Sequence, residues 1–354
     1  MRVAVVTSSY PAHPEDPSGH FVRAELRSLI EAGHEVTLLV PKATYPRHEP
    51  RVRLHELTHA GLFGWPGTLT RLKERPWRAV GLLPFVRAAR NQLKVAGPFD
   101  RLLAHWLLPG FWPICCDFDA ETHVVAHGTD VGVLERLPTA LQRSVVSALC
   151  RDNVAVRCVS RDLSARLSHL SAKLATGKLR IAVAPSPLEV PNLPSRAELQ
   201  RELCLDGAPV VVVVGRAVKD KRIDLAISAI LSASSLIPPA ITPTIVVVGD
   251  GPERAAWMRR FPAVRWLGQL GRFDALRYIR AAHLLVSASE HEGAPSVIRE
   301  ARILGTEVVA AKAGDLADLC ALDQGLHVIT NFTSDPSQAA CQLISQVLAR
   351  TTRQ

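Results

Sequence analysis

Short apolar runs alternate with amphipathic stretches along this chain, and they do so in two series. Val3–Val6, Glu35–Val40, Val52–Leu57, Leu102–His105, Val124–Ala126 and Ala155–Val159 read as strands of the first, with a helix over His20–Ala32 ended by Gly33. Val210–Val214, Ile245–Val248, Val264–Leu267, Leu284–Val286 and Val308–Ala310 form the second, with helical patterns between them. Buried strands separated by helix-length segments imply parallel βαβ units. Pro185, Pro187, Pro191 and Pro194 punctuate the gap between the series and mark a linker. The pattern predicts an α/β chain of two Rossmann-like, doubly wound parallel-sheet domains facing across a cleft. The first covers residues 1–188 and the second 189–335. An amphipathic helix within 336–354 is expected to pack back on the first domain. Such sheets bind ligands at the carboxyl ends of their strands.

Composition narrows the class. The chain has 354 residues, 47% of them hydrophobic and 21% charged, so each half can bury a core and disorder is excluded. The net charge of +9 favours anionic partners, whether nucleotides, phosphate-linked substrates, an anionic membrane surface or nucleic acid, without choosing among them. The seven cysteines include no C-x-x-C pair, which fits free thiols in a reducing compartment. Arg2–Thr7 stops at Tyr10-Pro11, too soon for a signal peptide. No stretch approaches the ~18 apolar residues that span a bilayer. A cytoplasmic protein, soluble or peripheral on the inner face of the cell membrane, is expected.

Four strand ends carry candidate chemistry. After Leu284–Val286 comes Ser289-Glu290-His291-Glu292-Gly293-Ala294-Pro295-Ser296-Val297-Ile298-Arg299-Glu300. Pro295 suits a first helical turn, where its missing N–H costs nothing. Glu292 falls just before that helix and Glu300 about two turns inside it. A helical spacing of eight residues leaves two side chains roughly 80° apart and ~12 Å along the axis. Carboxylates so placed can hold both ends of a polyhydroxylated ligand, with helix-start N–H groups meeting phosphate between them. An ordinary surface glutamate pair has the same spacing. After Val210–Val214 comes Gly215-Arg216-Ala217-Val218-Lys219-Asp220-Lys221, where Arg216 and Lys221 can neutralise a diphosphate and Lys219 reads as solvated. After Val124–Ala126, His127-Gly128-Thr129-Asp130 sets a histidine at a strand end, where it reads equally as a ligand-facing or a structural loop residue. After the first strand, Pro17-Ser18-Gly19-His20-Phe21 leads into a helix and allows close approach to an anion. The loop lacks G-x-G-x-x-G, which argues against a dinucleotide-dependent oxidoreductase.

In this order, together with Val248-Gly249-Asp250-Gly251-Pro252, the elements resemble glycosyltransferase family 4, the retaining GT-B enzymes. They span nearly the whole chain. The resemblance implies a retaining, metal-independent hexosyltransferase-type enzyme with a nucleotide-diphosphate sugar as co-substrate and no cofactor. It implies a glycan or lipid-linked acceptor in cell-surface polysaccharide biosynthesis. Arg216 and Lys221 would hold the diphosphate, Glu292 the donor sugar and Glu300 the ribose. His127 would meet the sugar at the reaction centre, and Gly19 would let the first loop approach the phosphates. Gly215, Gly293, Ala294, Ser296 and Val297 complete the implied donor-binding set. The sequence departs from the pattern at Arg222 and Pro295, where glycine is frequent, at Glu307, where proline is usual, and at Ala313-Gly314-Asp315, a reduced Gly-Gly element. These departures keep a second reading open, a non-catalytic GT-B subunit that binds nucleotide sugar or glycan.

Other patterns carry less. His55-Glu56-Leu57-Thr58-His59 matches the zincin H-E-x-x-H, but it continues an alternating strand, where four residues span ~13 Å, too far for one metal. Asp117-Phe118-Asp119 matches the D-x-D of metal-dependent enzymes and is taken as an exposed loop. Residues 63–101 interleave Arg71, Lys73, Arg75, Arg78, Arg87, Arg90, Lys94 and Arg101 with Phe63, Trp65, Trp77, Leu82, Leu83 and Phe85. That mixture suits either an anionic membrane interface or a solvated helix over the core. No nucleic-acid recognition module is present in the sequence, so no nucleic-acid partner is expected.

Overall fold

The computed structural model describes the chain except residues 14, 15, 17, 45, 46, 48, 237–241, 291, 331, 333–337 and 352–354. Pro17 and His291, quoted within two motifs, lie outside the described residues, as do 336, 337 and 352–354 of the terminal segment. The chain divides into two compact units, Met1–Glu189 and Val190–Gln354.

The first unit runs β1 (Arg2–Val6), α1 (His20–Glu31), β2 (Glu35–Pro41), β3 (Val52–Leu57), α2 (Thr68–Glu74), α3 (Leu82–Ala96) and β4 (Arg101–His105). It continues with β5 (Glu121–Ala126), α4 (Thr129–Leu134), α5 (Thr139–Leu149), β6 (Val154–Cys158), α6 (Arg161–Leu174) and β7 (Ile181–Val183). The strands form one parallel sheet in the order β3-β2-β1-β4-β5-β6-β7. The chain moves outward from β1, then restarts at β4 on the other side of β1. That reversal is a topological switch point, where doubly wound sheets place their ligands. Val3, Ala4, Val5 and Val6 are wholly buried, as a strand covered on both faces requires.

The second unit runs α7 (Arg196–Glu202), β8 (Val210–Val214), α8 (Ile223–Ser234), β9 (Thr244–Val248), α9 (Arg254–Arg260), β10 (Arg265–Gly268) and α10 (Arg272–Ala281). It ends with β11 (Leu284–Ser287), α11 (Ser296–Ile303), β12 (Glu307–Ala311), α12 (Leu316–Cys320), β13 (Leu326–Ile329) and α13 (Gln338–Thr351). Its parallel sheet has the order β10-β9-β8-β11-β12-β13, so its switch point lies between β8 and β11. The valines of β8 show why both faces must be covered. Val211 and Val213 join one apolar cluster with α8 and α13. Val210 and Val212 join the other with α10 and α11. A buried valine contributes roughly 1.5 kcal/mol or more, so a run of them holds a strand without polar contacts.

Two strands go beyond the sequence reading. β7 and β13 are short edge strands, partly exposed, with too weak a pattern to stand out. Within the second unit α13 packs on α8, and its Ala340, Cys341, Ile344, Val347 and Leu348 are part of that unit's core. Its apolar face fills the layer beside β8 and β12.

Candidate active site

The charged candidates gather at the switch point of the second sheet. β8 ends at Val214, and its loop carries Arg216 and Lys221; β11 ends at Ser287, and its loop carries Glu292. The Lys221 ammonium donates to the Glu292 carboxylate, and both side chains are largely buried. The two loops are also tied through backbone, Glu290 N–H donating to Asp220 O at 3.0 Å. Residues expected to hold different parts of a ligand therefore meet each other directly. Gly293 and Ala294 follow in the same half-buried loop.

The helix α11 starts later than the spacing argument supposed. Pro295 is its N-cap residue and Ser296 and Val297 open it, with no side-chain capping bond. Glu300 consequently sits in the second turn, and Glu292 lies in the loop, so the eight-residue helical projection does not describe their separation. Glu300 is only 4% exposed and accepts a hydrogen bond from Arg272 at 2.7 Å. Arg272 opens α10 and was not singled out in the sequence. A buried carboxylate requires such a partner.

Arg222 shows how one departure is accommodated. It adopts the left-handed conformation (φ 46°, ψ 43°) at the N-cap of α8, a position that suits glycine. Its guanidinium is anchored by donating to Ala288 O at 2.7 Å and Phe332 O at 3.3 Å. Pro295, with φ −66°, sits where its ring is unstrained. At these two positions the residue present is accommodated locally, Arg222 by its anchored side chain and Pro295 by its fixed φ.

The close backbone approach in this region falls at Gly249 and not at Gly215. A Cβ at Gly215 would make only an ordinary contact with Lys221, whereas one at Gly249 (φ 134°) would lie 1.9 Å from Gly215 O. The loops after β8 and β9 cross backbone on backbone, with Gly215 N–H donating to Val248 O and Ala217 N–H to Asp250 O.

The first unit's switch point is built differently. Gly19, the αL N-cap of α1, uses its freedom against its own chain: a Cβ there would lie 2.5 Å from Ser9 O. His127 follows β5, and its ring lies 4.7 Å from Phe21 and 4.6 Å from Trp106. Asp130, 3% exposed, accepts N–H bonds from Leu107, His127, Gly128 and Val131 at 2.8–3.1 Å. It therefore clamps the loops after β4 and β5 together. His127 Nε2 meets His105 Nδ1 at 3.1 Å. Burial, with the charge of Arg157, holds the His127 pKa down at about 3, so the ring is neutral at ordinary pH. His105 was missed, yet it had the same signal as His127: a histidine closing an apolar strand.

Elsewhere in this unit a cavity of about 620 Å³ opens near the carboxyl ends of β1, β2 and β3. Lys42, Arg71, Trp65, Ser9, Thr44 and Thr58 line it. Of the zincin-like histidines, His55 lies in β3 and His59 beyond it. The His59 ring is bound to Lys42 O and Phe63 N–H, each at 3.0 Å. Asp117 pairs with Arg90 at 2.5 Å, and Asp119 is fully exposed. The basic segment splits. Arg71, Arg78, Arg90 and Arg101 bond internally, while Lys73, Arg75, Arg87 and Lys94 are exposed, as are Trp77 (57%), Val80 (65%) and Leu83 (55%). No helix of the described residues is long and apolar enough to cross a membrane.

Comparison with known proteins agrees with this architecture. The chain matches the solved sucrose-phosphate synthase of Thermosynechococcus elongatus with a TM-score of 0.72 at 19% identity, over 99% of this chain and 90% of that one. The fold is GT-B. Residues 208–348 match the family model described as Glycosyl transferases group 1. TuaC of Bacillus subtilis, assigned to teichuronic acid biosynthesis as a glycosyltransferase, is 26% identical over 93% of this chain and 85% of its own length. A GDP-mannose-dependent alpha-mannosyltransferase of Mycobacterium tuberculosis is 25% identical over 90% of this chain and 81% of its own. The chain is a glycosyltransferase with the GT-B fold, similar to family 4.

Proposed function

We propose that this protein transfers a sugar, with retention and without a metal, from a nucleotide-diphosphate sugar to a glycan or lipid-linked acceptor in cell-surface polysaccharide biosynthesis. The observation that carries the reading is the meeting of Lys221, Glu292 and the start of α11 at the switch point of the second sheet. Lys221 and Arg216 neutralise the diphosphate as its bond to the sugar breaks. The Ser296 and Val297 amides add N–H groups at the positive end of α11. Glu292 takes the sugar hydroxyls, Glu300 the ribose, and His127 meets the sugar near its reacting carbon. The acceptor oxygen bonds to that carbon on the face the phosphate leaves, and the departing phosphate oxygen takes the acceptor's proton. The leaving group supplies the base, so stabilising its charge is the protein's main task. The named relatives, with GDP-mannose and teichuronic acid in their descriptions, support this substrate class.

The acceptor is assigned to the cavity in the first unit. Trp65 offers a sugar-stacking face, and Lys42 and Arg71 suit an acidic or phosphate-bearing acceptor. The exposed Trp77, Val80, Leu82 and Leu83, with Lys73, Arg75 and Arg87 exposed in the same segment, suit an anionic membrane holding a lipid-linked substrate. The test is a thermal-shift screen of UDP-, GDP- and ADP-sugars, then transfer assays with the stabilising donor, with and without EDTA. One nucleotide sugar should raise the melting temperature, and Glu300→Ala should abolish that rise. The product should keep the donor's anomeric configuration, and EDTA should leave the rate unchanged. An inverted product or an EDTA-sensitive rate would overturn the mechanism.

A further inference from the structure

Three elements, β4, α1 and β6, converge behind His127. His105, at the end of β4, is 0% exposed, so it cannot itself touch a substrate. Its ring is stacked on that of His127 at 5.3 Å with 17° between planes, and its Nδ1 lies 3.1 Å from His127 Nε2. Its other nitrogen, Nε2, faces Glu25 Oε2 of α1 at 3.8 Å. That oxygen also accepts from Arg157 of β6 at 2.5 Å. Among the described residues His105 Nε2 is buried without a hydrogen bond, the carboxylate being slightly beyond bonding distance. Burial lowers the pKa of both histidines, so both rings are neutral.

Two neutral imidazoles share one hydrogen bond only if one donates and the other accepts. With the proton on His105 Nδ1, the bare Nε2 lone pair would face a carboxylate across buried space. With the proton on Nε2, an N–H dipole points at that carboxylate instead. Electrostatics select the second arrangement. His105 Nδ1 then accepts from His127 Nε2–H, and His127 is left with a lone pair on Nδ1. The partner of one ring nitrogen thus decides the role of the other.

We propose that Glu25 and His105 are positioning residues that fix His127 as the Nε2–H tautomer, so that its Nδ1 accepts a hydrogen bond from a donor-sugar hydroxyl. The sugar contact rests on the function proposed above; the tautomer does not. A sugar lacking a hydroxyl at that point would leave the Nδ1 lone pair unmatched in an apolar setting of Phe21 and Trp106, which makes the relay a specificity device.

The test is long-range ¹H–¹⁵N NMR of the histidine rings in the substrate-free full chain, for wild type and Glu25→Gln, beside steady-state transfer kinetics. Wild-type His127 should show a pyrrole-like Nε2 and a pyridine-like Nδ1, and Glu25→Gln should give a mixture of tautomers. A wild-type Nδ1–H tautomer, or an unchanged pure Nε2–H form in Glu25→Gln, would overturn the relay. If Glu25→Gln does not fold, the wild-type spectrum still decides. In kinetics, Glu25→Gln should lower kcat about 10-fold, as loss of an outer partner of a functional histidine commonly does, with little change in donor KM. A variant with mixed tautomers and unchanged kcat would refute the catalytic consequence. Absence of any transferase activity beside a correct tautomer would refute the proposed function alone.

Discussion

The two sheets of this chain have the same device, a switch point with loops at the strand ends, and furnish it in opposite ways. The second unit's loops carry charge held by countercharge: Lys221 on Glu292, and Arg272 on Glu300. In the first unit, a neutral imidazole packs against both Phe21 and Trp106, and its loop is fixed by a carboxylate that spends itself on backbone N–H groups. Charged walls suit a group whose charge grows as it leaves. A neutral aromatic wall suits hydroxyls that are read by hydrogen bonding and not by charge. The fold supplies position in both halves, and the side chains divide the chemical labour.

The comparison can be broken first at its charged end. Lys221→Ala should cut transfer about 10²–10³-fold, the usual cost of removing one donor to a developing anion, with circular dichroism unchanged. A loss under tenfold would mean that the charge of this loop is not catalytic. Next, Arg272→Ala should destabilise the second unit by about 3 kcal/mol in urea unfolding, because it deprives the buried Glu300 of a cation. Adding Glu300→Gln should restore part of that loss, whereas no restoration would show that the ion pair is not what Arg272 supplies.

Acid sharpens the neutral end. The pKa values of His105 and His127 are held down by burial, so between about pH 6.5 and 5 their unfolded forms take up protons and their folded forms do not. Stability should therefore rise with pH through that window and fall as it is acidified. His59 and His283, lowered likewise, add to the slope. His105→Asn should flatten the slope relative to wild type; an equal slope would mean that His105 is protonated in the fold. The smallest effect belongs to the surface. Leu83→Glu should reduce sedimentation with anionic vesicles a few-fold at low salt and leave neutral vesicles unaffected. Equal binding to both vesicle types would remove the membrane from the account.

Much of this was legible in the sequence, for identifiable reasons. Val210–Val214 and Val3–Val6 could hardly be anything but buried strands, and the loops after them followed. His127, Lys221 and Glu292 were found because a strand pointed to each. The rest depended on distance in sequence. Nothing in the sequence links Arg272 to Glu300 or Glu25 to His105; only the fold brings them together. β7 and β13 escaped because edge strands are short and half exposed. The helical spacing of Glu292 and Glu300 misled because the helix begins only at Ser296.

The crossing of Gly249 over Gly215 has a further consequence. Peptide rests on peptide there, with 1.9 Å between the oxygen and a Cβ that is absent, so no side chain cushions the contact. Arg216 and Lys221 both hang from the strand of backbone held under that crossing. Their positions cannot be retuned singly by repacking; a bulkier residue at 249 would shift the whole mounting. Changing which sugar this scaffold handles is therefore work for the walls that face the sugar, while the crossing is a fixed reference from which both cations take their reach.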